Sequence, residues 1–211
     1  MSSEAASREA IFTRIRTALG RSAGQAPPPV PEIYLKPSSP KLSTFFACIE
    51  RLNGKTLKAG SNVEARDYVS ALVRGKRAVA SNSTVLRDTG IAGLPEVTTA
   101  GADKSELRRL CAESDIGISS ADYGLADTGT LVMVSSHQEP RMISLLPPLH
   151  IAIVPESRII GNLDELLRLL PTPADQTSSM VLITGPSRTG DIEQILVRGV
   201  HGPGELHVVV I

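Results

Sequence analysis

Met180-Val181-Leu182-Ile183-Thr184-Gly185-Pro186-Ser187-Arg188-Thr189-Gly190-Asp191-Ile192-Glu193 holds the first clue to the fold. Its apolar opening, Met180 to Ile183, has the length and composition of a buried strand. Gly185-Pro186 breaks that run, and Ile192, Ile195 and Leu196 then recur at helical spacing. A strand, a glycine turn and a helix start would expose backbone N–H groups with the helix dipole behind them, which suits an anion. Arg188 adds a guanidinium able to grip a carboxylate or phosphate with two bonds. The plainer alternative is a polar loop in which Ser187 or Asp191 caps the helix.

The same alternation runs upstream. Leu42, Phe45, Phe46, Ile49 and Leu52 form a helical stripe stopped at Asn53-Gly54, before a short strand at Lys55–Ala59. A second helix carries Val63, Tyr68, Val69, Leu72 and Val73 and ends at Gly75. Arg77–Ala80 is the next expected strand, Thr84–Asp88 a short helix, Ser105–Glu113 a longer one and Asp115–Ser119 a strand. Further strands are expected at Leu131–Val134, Ile151–Val154 and Leu206–Ile211, with Arg158–Ile160 as an edge strand answering Ile151–Val154. Asn162 should cap a helix ended by Pro171, and 172–178 reads as a polar loop. Helices alternating with short apolar strands predict an α/β fold: a mostly parallel sheet flanked by helices.

Ahead of this body, residues 5–19 place Ile11, Phe12, Ile15, Ala18 and Leu19 at helical spacing opposite Arg8, Glu9, Arg14 and Arg16. Residues 21–40 then turn to Ser, Gly, Gln and Pro, including Pro27-Pro28-Pro29, as expected of an extended linker. The organisation predicted is therefore an N-terminal helix and Pro-rich linker, 1–40, and an α/β domain, 41–211. The helix either packs on its own domain or forms an arm for a partner or second copy.

Composition narrows the function. Lysine plus arginine equal aspartate plus glutamate at 22 each, so no strong field invites nucleic acid or an anionic membrane. Aromatics make up 3%, with no Trp, which is poor material for stacking bases or sugars. Cys48 and Cys111 lie far apart and cannot by themselves hold a four-cysteine iron–sulfur cluster or a cysteine zinc site. Glu4 and Glu9 with no apolar stretch predict no secretory signal, and no run reaches the length of a membrane span. A cytoplasmic protein is expected. The four histidines show no metal-ligand spacing, and no GxGxxG, Walker loop, GxSxG or HExxH occurs.

Four polar loops could carry chemistry. Asp127-Thr128-Gly129-Thr130 offers a carboxylate and two hydroxyls beside a buried strand, or else a tight turn in which Asp127 bonds its own backbone. Arg141 follows Glu139-Pro140 and is a second anion grip, or pairs with Glu139 or Asp127. Gly185 to Asp191 contributes Gly185, Ser187, Arg188 and Thr189. Gly199-Val200-His201-Gly202-Pro203-Gly204 surrounds one histidine with special backbone geometry, either displaying it or using it structurally.

In order and spacing these loops resemble the lactate utilization protein C family, whose members carry the LUD domain. The resemblance rests on Asp127-Thr128-Gly129-Thr130-Leu131, Arg141, Ser144-Leu145-Leu146-Pro147, His150-Ile151, Gly185-Pro186-Ser187-Arg188-Thr189, Asp191-Ile192-Glu193 and Gly199-Val200-His201-Gly202-Pro203. It spans about residues 120–211, and the helix at 8–19 is similar to that family's N-terminal segment. One departure is Asp127, where the family usually has glutamate; the shorter reach puts a strict catalytic role there in doubt.

The resemblance implies a fold like those of ribose-5-phosphate isomerase, glucosamine-phosphate deaminase and CoA transferases. It also implies a place in a three-protein system oxidising L-lactate to pyruvate, with no cofactor on this chain and iron–sulfur clusters on partner subunits. The expected ligand is a small carboxylate or phosphate held by Arg188 or Arg141, with Ser187, Thr189, Gly185, Thr128 and Thr130 around it. Asp127 and His201 are the acid–base candidates if chemistry happens here. Two other readings stay open: a free-standing isomerase- or CoA-transferase-like enzyme using Asp127, and a ligand-sensing or scaffold module.

Overall fold

Short apolar runs bounded by Gly, Pro and capping residues form the elements, and a computed structural model describes them for residues 3–20, 41–101, 103–189 and 197–211. In chain order they are α1 (Ser3–Leu19), α2 (Lys41–Arg51), β1 (Lys55–Lys58), α3 (Asn62–Val73), β2 (Ala78–Ala80) and α4 (Thr84–Asp88). Then come β3 (Val97–Thr99), α5 (Lys104–Glu113), β4 (Ile116–Ser120), β5 (Tyr123–Leu125), β6 (Thr130–Val134) and β7 (Leu149–Val154). The chain continues with β8 (Ile159–Ile160), α6 (Leu163–Leu169), α7 (Pro173–Gln176), β9 (Met180–Thr184), β10 (Arg188–Thr189), β11 (Val197–Arg198) and β12 (Glu205–Val210). It divides into two units, Met1–Leu35 and Lys36–Ile211.

The central sheet has the order β1-β12-β7-β4-β2-β3, with every neighbouring pair parallel. Both of its faces are covered, which is why β4 and β7 are buried along their whole length and read as continuous apolar runs. On one face Val69, Val73, Leu86 and Ile91 pack against Ile116, Ile118, Ile151 and Ile153. On the other, Phe45 and Ile49 of α2 meet Leu131 and Met133 of β6 over Val154, Leu206 and Val208. The second sheet, β8-β5-β6-β9, therefore lies over the central one; β6 runs antiparallel to β5 and β9, and β8 parallel to β5. Side chains cap the helices as their residue types predict. Ser61, Ser83, Asp103 and Asn162 each accept a bond from the backbone N–H three residues on.

The α/β fold with its parallel sheet agrees with the sequence reading, and several details differ. Ile159–Ile160 pairs with β5, not with β7, because β7 is already flanked by β4 and β12 and has no open side. β3 and β5 were not expected; at three residues each they are too short for a periodic signal. The polar loop at 172–178 contains one helical turn, begun by Pro173. Arg188-Thr189 does not open a helix but pairs antiparallel with Val197-Arg198. The helical spacing of Ile192, Ile195 and Leu196 lies outside the described residues.

In the first unit, α1 has Ile11, Phe12 and Ile15 exposed, at 57%, 37% and 46%. The guanidinium carbons of Arg8 and Arg16 stand 5.1 and 5.7 Å from the Phe12 ring centroid, and Arg16 pairs with Glu9 at 2.9 Å. Exposed contacts of this kind hold a helix only weakly. Among the described residues no helix is long and apolar enough to cross a membrane.

Candidate functional site

Glycine geometry builds the cleft in which most of the predicted site residues meet. At Gly117 of β4 a Cβ would overlap the carbonyl oxygen of Ile143, so only glycine lets the 3-10 turn Arg141–Ser144 lie directly on the sheet. Gly185, with φ +79°, turns the chain out of β9 where a Cβ would stand 2.9 Å from Leu52 Cβ. The chain after that turn is tied down by Ser187 N–H donating to the Pro203 carbonyl at 2.8 Å and Gly199 N–H to the Ser187 carbonyl at 3.1 Å. Gly204 N–H in turn donates to the Pro148 carbonyl at 2.9 Å. Three loops distant in sequence thereby meet at the amino edge of β7 and β12.

They enclose a cleft of about 400 Å³. Its floor is His150 and Leu206, the second residues of β7 and β12. Its walls are the end of β9 with Gly185-Pro186 on one side and Arg141, Ser144 and Leu145 on the other; Ser187, Arg188, His201 and Pro203 complete the rim. Gly185, Ser187, Arg188, Arg141 and His201 are thus brought to one place.

Arg188 is half-buried, and its Nη2 donates to the Leu52 carbonyl at 2.8 Å. That carbonyl lies just past the end of α2, where Asn53 takes a left-handed φ of 64° and Gly54 N–H bonds back to the Ile49 carbonyl at 3.0 Å. A guanidinium on a free carbonyl at a helix C-terminus is favourable for both bond and dipole. Arg188 therefore has a structural bond as well as a place on the cleft. Arg141 is exposed and makes no ion pair among the described residues; Glu139, the partner considered for it, bonds elsewhere. His201 is exposed on the rim.

His150 is the residue whose chemistry the sequence reading missed. It is 1% exposed, its Nε2 bonds Ser119 Oγ at 2.7 Å, and its buried Nδ1 has no partner among the described residues. Burial pushes its pKa from 6.5 down to about 4, so the ring is neutral at physiological pH. The signal available was a histidine inside the apolar run Leu149–Val154, where the burial of a polar ring demands a reason.

Asp127 stands apart from this cleft. Its side chain is exposed and accepts from Thr128 Oγ1 at 3.2 Å, while its N–H donates to the Gly161 carbonyl at 3.1 Å. From Thr128 a file of hydroxyls runs through Thr130 to Thr184, each step 2.8 Å, and Thr184 lines the cleft. Thr128 and Thr130 thus support its wall, and Thr189 lies in β10.

A second cleft, about 420 Å³, opens at the opposite edge of the sheet, where β2, β4 and β7 end. Glu139 Oε1 accepts from Ser81 Oγ at 2.8 Å, from Ser120 N–H at 2.9 Å and from Ser120 Oγ. Its Oε2 is buried without a partner among the described residues. Asp122 beside it accepts from Val134 N–H at 2.6 Å. Burial raises the pKa of both carboxyls, against the lowering effect of these bonds.

Comparison with known proteins places the chain. A lactate utilization protein C from Exiguobacterium sp. is 29% identical over 221 residues, covering 97% of this chain and 95% of the relative. Proteins of the same name from Halalkalibacterium halodurans and Bacillus mycoides are 42% and 37% identical over 108 and 105 residues. Those two matches take in 48% of this chain and about half of each relative, 47% and 45%. A crystal structure of a DUF162 family protein from Deinococcus radiodurans shares the fold, with a TM-score of 0.61, 17% identity, and coverage of 81% of this chain and 95% of that one. The LUD domain matches residues 43–211, and the chain belongs to the LUD domain family.

Proposed function

We propose that this chain is a substrate-handling or accessory subunit of an iron–sulfur system that oxidises L-lactate to pyruvate, and that the amino-edge cleft holds the carboxylate of its ligand. The reading is carried by one convergence: Arg141, Arg188 and a buried neutral His150 on a single cleft of about 400 Å³. The Arg141 side chain makes no hydrogen bond or ion pair among the described residues, which supports it as the principal grip, with Arg188 giving what Leu52 leaves free. Ser187 and His201 supply further polar contacts on the rim. Relatives named for lactate utilization support a three-carbon acid as the ligand. The clusters that take the electrons would sit on partner subunits, and this chain's part is to bind and orient.

Calorimetric titration of lactate, pyruvate and phosphate tests the site. Arg141→Ala should lose roughly ten- to a hundredfold in carboxylate affinity with an unchanged melting temperature. Arg188→Ala should lose affinity and melt lower, since it also releases the Leu52 carbonyl. Unchanged affinities in both variants overturn the anion site. Affinity purification from the native host with iron analysis checks the subunit assignment. A chain recovered without iron–sulfur partners that turns lactate over alone overturns it.

A further inference from the structure

Arg141 lines a second hollow as well as the amino-edge cleft. This basin of about 570 Å³ lies between the start of α5, the loop after β6 and Thr177-Ser178. Lys104, His137 and Arg141 all border it with exposed side chains, and none of the three side chains makes an ion pair or hydrogen bond among the described residues. No aspartate or glutamate lines it among the described residues. Glu106 stands just outside, its Oε2 3.7 Å from a Cβ built on Gly101. The loop that displays His137 is pinned. Ser135 N–H donates to the Ser179 carbonyl and Asn82 N–H to the Gln138 carbonyl, each at 2.9 Å. Ser136 Oγ accepts from the N–H groups of Gln138 and Glu139 at 3.2 and 3.0 Å. With both lone pairs in use, that exposed hydroxyl has only a proton left to offer.

We infer that this basin binds the phosphate group of a small organic phosphate. Lys104, Arg141, His137 and the Ser136 hydroxyl hold the anion, and the carbon part lies on Leu107 and Met142. Donors carried by three separate segments suit a tetrahedral anion with three oxygens and close to two charges. A planar carboxylate is matched by a single guanidinium fork. A bare phosphate would leave most of the volume empty, and hollows of this size hold whole organic ligands. Arg141 borders both sites, and one guanidinium cannot serve two mutually repelling anions in full. Phosphate in the basin therefore weakens carboxylate binding in the amino-edge cleft, and the carboxylate weakens phosphate by the same factor. This coupling, unlike the basin itself, rests on the carboxylate reading of that cleft.

Calorimetric titration of phenyl phosphate and inorganic phosphate into the full chain tests the inference. Phenyl phosphate should bind roughly tenfold more tightly than inorganic phosphate. Lys104→Ala should cost roughly tenfold in phenyl phosphate affinity and His137→Ala less, with lactate affinity in phosphate-free buffer unchanged in both. Glu106→Gln should tighten phenyl phosphate, because it removes a like charge from the border. Phenyl phosphate affinity that is unmoved by all three substitutions overturns the site. Inorganic phosphate binding as tightly as phenyl phosphate overturns the organic ligand. Lactate affinity that is undiminished at saturating phenyl phosphate overturns the coupling. Phenyl phosphate binding beside no lactate binding at all overturns the carboxylate reading and supports the basin.

Discussion

The two clefts are cut into opposite edges of one parallel sheet, and beside each a buried polar atom, His150 Nδ1 or Glu139 Oε2, has no partner among the described residues. Their electrostatics run in opposite directions. At the amino edge arginines stand on the rim and burial keeps the floor neutral by holding the proton off His150. At the carboxyl edge burial favours the protonated form of Glu139 and Asp122. The first cleft sets cations over a neutral floor; the second sets two buried carboxyls beside Arg158. In open α/β sheets ligands usually lie at the carboxyl ends of the strands; the carboxylate site proposed for this chain lies at the amino edge.

The opposite signs make separable predictions, the largest at His150. Its folded pKa lies below the unfolded value, so its contribution is complete above about pH 6.5. It is lost as pH falls towards about 4, where the unfolded chain takes a proton that the fold refuses. The loss approaches about 3 kcal/mol across that window. Denaturant unfolding from pH 8 to pH 4 should show it as a slope that His150→Leu reduces, the remainder coming from His207, whose pKa burial lowers in the same direction. A parallel pH profile in the variant would mean the ring is not the acid-sensitive group.

Glu139 should give a smaller effect of the other sign. Its folded pKa lies above the unfolded value, so the fold bears a penalty at neutral pH that is lifted as pH falls through the folded pKa. Glu139→Gln removes that charge while its carbonyl still accepts from Ser81 and Ser120. The variant should gain on the order of 1 kcal/mol at pH 8, roughly 2–4 °C in melting temperature. The gain should shrink by pH 5, and lactate affinity should not move. An altered affinity would show that the clefts are coupled.

Asp127→Asn is expected to do least. An exposed carboxylate bonded to one neighbouring hydroxyl should change stability by no more than about 0.5 kcal/mol. Titration with lactate should find affinity unchanged. A clear loss would extend the site along the hydroxyl file from Thr128 through Thr130 to Thr184.

How much of this was legible depends on how local the cause is. A helix declares itself in its stripe and its cap, so α2, α3, α5 and α6 follow from Phe45 and Ile49, Val69 and Val73, Leu107 and Cys111, and Asn162. A strand buried on both faces declares itself as an apolar run, so β7 and β12 do too. Arg141, Ser187, Arg188 and His201 stand out as charge, hydroxyl and glycine chemistry between such runs.

Strand neighbours are different, because pairing is set by which edges remain open after the rest of the chain has packed. Nothing within Ile159-Ile160 tells that it joins β5, and nothing near Arg188 tells that Leu52, 136 positions away, takes one of its bonds. The floor of the cleft is the furthest case. His150 is one polar residue in a hydrophobic run; only the burial of both sheet faces strips its water, and only the register of β4 on β7 supplies Ser119. Sequence by itself determined the longer elements and the loops carrying arginine and histidine, since propensity, patterning and capping act within a few residues. Tertiary structure decided which of those loops meet and which histidine is buried beneath them, since desolvation and long-range pairing exist only once the chain has closed on itself.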